Sequence, residues 1–173
     1  MTKTRWISAS FLLGASLILT ACNQNPLLIT RSNCPAVAVM AHTGTITMFK
    51  GDSRNQSDVM WTANISNLER NCEQDETLVG TTNFVISVQK GPAFEGTEVT
   101  VPYFAALLRD NHLITAKQVY ETTVRFAPNS DNAAVMETIE QSFTDIDIAR
   151  HYNYELLVGF QLTANQVAFN MLR

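Results

Sequence analysis

The 173-residue chain is poor in cysteine, histidine and glycine, with 3 Cys, 3 His and 7 Gly. It carries no G-x-x-x-x-G-K-[ST] loop to cradle phosphates and no G-x-S-x-G turn to present a nucleophilic serine. His42, His112 and His151 fall in expected turns or loops and have no ligand-spaced partner, which argues against a metal site. There is no basic cluster: 12 Lys and Arg face 16 Asp and Glu, for a formal charge of −4. That balance argues against a nucleic-acid partner and against electrostatic adhesion to anionic lipid. Internal repeats and low-complexity blocks are absent too. No apolar run is long enough to span a bilayer. The best, Ile7 to Leu19, rises about 1.5 Å per residue as a helix and falls short of a core of roughly 30 Å.

What is present at the N-terminus has a different logic. Lys3 and Arg5 precede this short apolar run, and small residues follow it. That is the anatomy of a secretory signal. The run ends in Leu19-Thr20-Ala21-Cys22, which resembles the lipobox of bacterial lipoproteins. The resemblance covers the first 22 residues. It implies cleavage between Ala21 and Cys22 and a diacylglycerol thioether on the Cys22 sulfur, the one side chain that supplies a good sulfur nucleophile near neutral pH. Two or three acyl chains would hold the chain to the membrane, where a single chain binds only marginally. Residue 23 is Asn. In enteric-type sorting this residue, rather than Asp, implies the outer membrane, periplasmic face.

Three segments follow: signal peptide 1–21, lipidated tether 22–33 around Pro26, and a domain 34–173. The 152 residues after the signal suffice for one domain with a core. Loss of Lys3 and Arg5 takes the formal charge from −4 to −6. Two cysteines remain, Cys34 and Cys72. An even count in an exported chain reads as one disulfide. A metal site is the alternative, but neither cysteine has close Cys or His companions.

Ala36 to Met40 is apolar on both faces and suits a central strand. Thr45 to Phe49 follows a His42-Thr43-Gly44 turn, and Lys50 to Asp58 is a polar loop. Val59, Trp61, Ala63 and Ile65 alternate with polar neighbours, as a half-buried strand does. Cys72 then falls in the loop after that third strand. Thr82 to Gln89 alternates again, and Lys90 to Gly96 is a loop with Phe94 at its middle. Val99 to Arg109 and His112 to Phe126 flank Asp110-Asn111, two residue types that tolerate the left-handed conformation a tight hairpin needs. Ile114, Ala116, Tyr120, Val124 and Phe126 share one face of the second arm. Lys117, Glu121 and Arg125 share the other, solvated face. Pro102 removes a ladder donor and belongs at a bulge or edge. Ala134 to Phe143 fits a helical spacing of four as well as one strand face; its β-branched and aromatic content favours strand. Tyr154 to Leu162 alternates cleanly. Thr163-Ala164-Asn165-Gln166 matches a capping box for a short terminal helix, with Arg173 favourable to its C-terminal dipole.

The expected fold is therefore an all-β antiparallel β-sandwich of Ig-like architecture, with seven or eight strands, one disulfide and a short C-terminal helix. Trp61 lies between the cysteines, yet their expected positions at strand ends do not match a true immunoglobulin domain. No set of side chains reads as a catalytic constellation. Asp145 and Asp147, with Asp131 and Asn132 upstream, are too few for a calcium loop. Glu95, Glu98, Glu137 and Glu140 are acids whose spatial pairing sequence does not reveal. The domain resembles small, uncharacterised proteobacterial lipoproteins. The expectation is a non-enzymatic lipoprotein without cofactor, bound to the membrane through the lipid on Cys22 and contacting an unidentified envelope protein. The alternative is a glycan- or peptidoglycan-binding module using exposed aromatics such as Phe94 and Tyr103.

Overall fold

Apolar residues at every second position bury one face of an extended chain and leave the other in water. Among the described residues, eight extended segments and one helix build the fold. The structure is a computed structural model and describes residues 34–74, 77–143 and 153–172. The strands are β1 (Ala36–Val39), β2 (Thr45–Phe49), β3 (Val59–Gln74), β4 (Leu78–Lys90), β5 (Glu98–Arg109), β6 (Leu113–Arg125), β7 (Asn132–Phe143) and β8 (Tyr154–Phe160). The helix α1 spans Ala164–Met171. Two four-stranded sheets form, in the orders β1-β8-β5-β6 and β2-β3-β4-β7. This is a β-sandwich, antiparallel except where β1 runs parallel to β8.

The core fills the space between the inner faces. Ile46, Trp61, Ala63, Phe84, Ile86 and Val88 come from one sheet; Val101, Tyr103, Val124, Leu156, Val158 and Phe160 come from the other. Burial of each larger apolar side chain stabilises the fold by about 1.5–3 kcal/mol, and together they hold the sheets face to face.

Several local signals act as the sequence implies. Asp110 and Asn111 both adopt positive φ, 54° and 61°, at the tip of the β5–β6 hairpin. Thr163 caps α1: its hydroxyl accepts from the Gln166 N–H at 3.3 Å, and its own N–H donates to Gln166 Oε1 at 2.8 Å. Cys34 and Cys72 form the disulfide, with Cα atoms 5.9 Å apart. The segment 132–143 is strand, with alternate residues half-buried or buried.

Other expectations are corrected. β1 is an edge strand of four residues, not a central one. Small alanines alternate there with Val37 and Val39, which pack on the core; an exposed alanine loses little, so apolarity on both faces did not require two neighbours. Cys72 lies within β3, paired with Gly80, not in a loop after it. β3 and β4 form a long hairpin whose distal half is largely polar on both faces, and a bulge between Ser66 and Glu69 interrupts the alternation there. Asn67 takes φ 52° at that irregularity. Pro102 sits in the central strand β5 rather than at an edge or at the Leu107/Leu108 bulge. Its carbonyl accepts from the Gln161 N–H, so its nitrogen also faces the β8 side, one residue beyond the last rung Tyr103↔Phe160. The donor that proline lacks would face the Gln161 carbonyl, just past the end of β8, so no rung within the ladder is broken. Ile114 and Ala116 are exposed, although they alternate with Tyr120 and Val124. A bulge opposite Leu107/Leu108 shifts the register, and only the second half of β6 packs on the core.

Cys22, the Ala21–Cys22 cleavage site, the tether 22–33, Asp145, Asp147, His151 and Arg173 lie outside the described residues.

Candidate interaction surface

A sandwich of two open sheets has four edge strands, and each presents backbone groups that need partners. Two of them are closed. β1 is short, and its approach is held by the disulfide and by Arg70, whose Nη1 donates to the carbonyls of Cys34 at 3.1 Å and Pro35 at 2.9 Å. β2 is covered by α1. Asn170 Nδ2 donates to the carbonyls of His42 at 2.9 Å and Thr45 at 2.7 Å, and Phe169 packs edge-on against Phe49. The Phe160 N–H takes the Thr43 carbonyl. Between α1 and β2 runs a groove of about 380 Å³ lined by Met48, Phe49, Pro102, Gln161 and Phe169 among others.

The other two edges, β6 and β7, are long, and among the described residues no strand pairs with their outer sides. In β6 the pairing Phe126 N–H to Thr97 O, together with the register Val99↔Val124 to Leu107↔Ala116, directs the backbone groups of even-numbered residues from 116 to 126 toward β5. Those of Lys117, Val119, Glu121, Thr123 and Arg125 therefore face away from the sheet. The side chains of these five residues are exposed on its outer face. Arg125 Nε is paired with Glu98 at 2.8 Å. The Lys117 ammonium lies over the Phe104 ring, 4.5 Å from its centroid. Among the described residues neither Lys117 nor Glu121 forms an ion pair. Sequence reasoning found the charged face but not that its strand is an edge. The spacing of Lys117, Glu121 and Arg125 was the available signal.

β7 flanks the same side of the sandwich, and its outward residues include Met136, 69% exposed. One polar contact ties β5 to β7 across the layers. The Tyr103 hydroxyl donates to Glu137 Oε2 at 2.7 Å, while its ring packs edge-on to Phe84 and stacks on Tyr120. Burial, then the hydrogen bond to the Glu137 carboxylate and its charge, push the Tyr103 phenol well above its ordinary value. The sign follows: the unfolded chain ionises Tyr103 near pH 10 while the folded chain holds it neutral. The stabilising contribution is complete below that pH and is lost as pH rises through and beyond it. We expect the unfolding midpoint to fall steeply above about pH 10 and the Tyr103→Phe variant to show a shallower fall. Equal slopes in pH-dependent melting would refute the assignment.

This burial also corrects an expectation. Tyr103 is 3% exposed and does not join Phe94 in an exposed aromatic groove. Phe94 is half-buried against Phe126, with the Lys90 ammonium over both rings. The acids do not converge either: Glu95 pairs with Lys50, Glu98 with Arg125 and Glu137 with Tyr103. Glu140 is exposed on the opposite face of β7 from Glu137. His42 and His112 are exposed turn residues, and His112 Nδ1 lies 2.8 Å from the Asp110 carbonyl. Among the described residues no three His, Cys, Asp or Glu group as a metal site, and no helix is long and apolar enough to cross a membrane.

No protein-family model matches this chain, and no curated protein or solved structure matches it.

Proposed function

We propose that this chain is a bacterial lipoprotein held at the periplasmic face of the outer membrane by lipid on Cys22, acting without catalysis through protein–protein contacts in the envelope. The observation that carries the reading is Leu19-Thr20-Ala21-Cys22 directly after a short apolar run with Lys3 and Arg5 ahead of it. The Cys34–Cys72 bridge supports an oxidising compartment. The open edges of β6 and β7 are surfaces of the kind to which partner strands add.

The anchor is tested by labelling cells with radioactive palmitate. Cys22→Ser is expected to abolish incorporation and leave unprocessed precursor; retained label would refute lipidation. The interaction role is tested by crosslinking in native membranes. Failure to capture any envelope protein, together with sugar binding by the purified chain, would replace this reading with a glycan-binding one.

A further inference from the structure

The open edge of β6 is self-complementary, and its complementarity depends on register. β6 runs Leu113–Arg125, so Val119 is its midpoint. A two-fold axis through Val119 would set β6 antiparallel to β6 of a second copy, with residues 117–121 of each strand opposed. Because the backbone groups of Lys117, Val119 and Glu121 face outward, each of these residues would meet another of them; the bulge opposite Leu107/Leu108 turns the groups of Leu113 toward β5 and ends this ladder there. Val119 would lie opposite itself, Lys117 opposite Glu121 of the second copy, and Glu121 opposite its Lys117. Such opposed residues exchange both backbone hydrogen bonds, and opposite charges directly across a ladder are favourable where like charges are not.

No other register opposes Lys117 to Glu121, and several set like charges together. A two-fold axis through Glu121 sets Glu121 against itself and Lys117 against Arg125. An axis through Lys117 sets Lys117 against itself. An axis through Thr123 opposes Glu121 to Arg125, but Arg125 is already bound to Glu98 and half of β6 would be left outside the ladder. Val119 adds an apolar contact at the axis, being 51% exposed in the single chain. Among the described residues Lys117 would leave the Phe104 ring and no acid.

We propose that β6 is a homodimerisation edge: two copies pair their β6 strands antiparallel about Val119, joining the β1-β8-β5-β6 sheets into one eight-stranded sheet. The inference rests on the register and charges of β6 and not on the lipid anchor, so each can fail without the other.

The test is disulfide trapping in the full chain. Opposed residues of a hydrogen-bonded pair have Cα atoms about 5.5 Å apart, within the range of about 4.4–6.8 Å that a disulfide spans. The Val119→Cys chain should run as a dimer on non-reducing gels. Residue 123 is equally on the outer face but would lie roughly 27 Å from its own copy, so Thr123→Cys should remain monomeric. Lys117→Glu should weaken trapping at Val119→Cys on the order of tenfold by opposing like charges twice. Adding Glu121→Lys, which reverses the pair, should restore it. A monomeric Val119→Cys chain, equal trapping at both cysteines, or no restoration by the reversal would overturn the proposal.

Discussion

Phe84→Ala is expected to lower the unfolding free energy by about 3–5 kcal/mol. Phe84 is fully buried, at 0% exposure, in β4. β4 lies between β3 and β7, and Phe84 pairs with Glu137 in the ladder, so its ring enters the space between the sheets beside the Tyr103–Glu137 bond. Truncation removes the transfer energy of the ring and leaves a cavity that a rigid pair of sheets closes poorly. It also strips the edge-on contact from Tyr103, whose centroid is 5.6 Å away. For a domain stable by about 5–15 kcal/mol this is a large share. Urea denaturation at constant slope measures it. Phe84→Leu, which keeps most of the volume, should lose much less. A loss below about 1 kcal/mol for Phe84→Ala would mean that the sheets do not meet at this residue.

Replacing both cysteines, Cys34→Ser with Cys72→Ser, should destabilise the domain by about 4 kcal/mol, the chain-entropy value for a loop of this length. The bridge spans a sequence separation of 38 and joins the two sheets, since Cys34 leads into β1 and Cys72 belongs to β3. The loss should also have a location. β1 is held in its sheet by four paired residues on one side only, so its backbone amides should lose hydrogen-exchange protection before those of β4 or β5. Arg70 remains to hold the carbonyls of Cys34 and Pro35, which keeps β1 docked part of the time. Unchanged protection in 36–39 would show that β1 depends on β8 alone.

Many local features of the fold are legible in the residues alone. Val59 to Ile65 and Tyr154 to Phe160 alternate because each has one face on the core. Asp110-Asn111 marks the hairpin tip because few other side chains accept positive φ. Thr163 and Gln166 mark the start of α1 through the donors a helix leaves unmet. The disulfide follows from two remaining cysteines and the expected compartment. The far half of the β3–β4 hairpin is not legible in this way. Glu69 to Gln74 is polar on both faces apart from Cys72, and a bulge breaks the period just before it.

The sequence by itself therefore determined most of the extended segments, though not the far half of the β3–β4 hairpin, where two of the turns and the helix cap fall, and that Cys34 meets Cys72. Only the tertiary structure decided that β1 runs parallel to β8, that Pro102 is tolerated in a central strand, and that β6 and β7 are left as open edges. The reason is one of range. Alternation, φ preference and capping depend on a residue and its near neighbours in the chain. Whether a strand has a neighbour on one side or both depends on hydrogen bonds to segments tens of residues away. The face of Lys117 and Glu121 was readable from local spacing, but the open edge beside it was not.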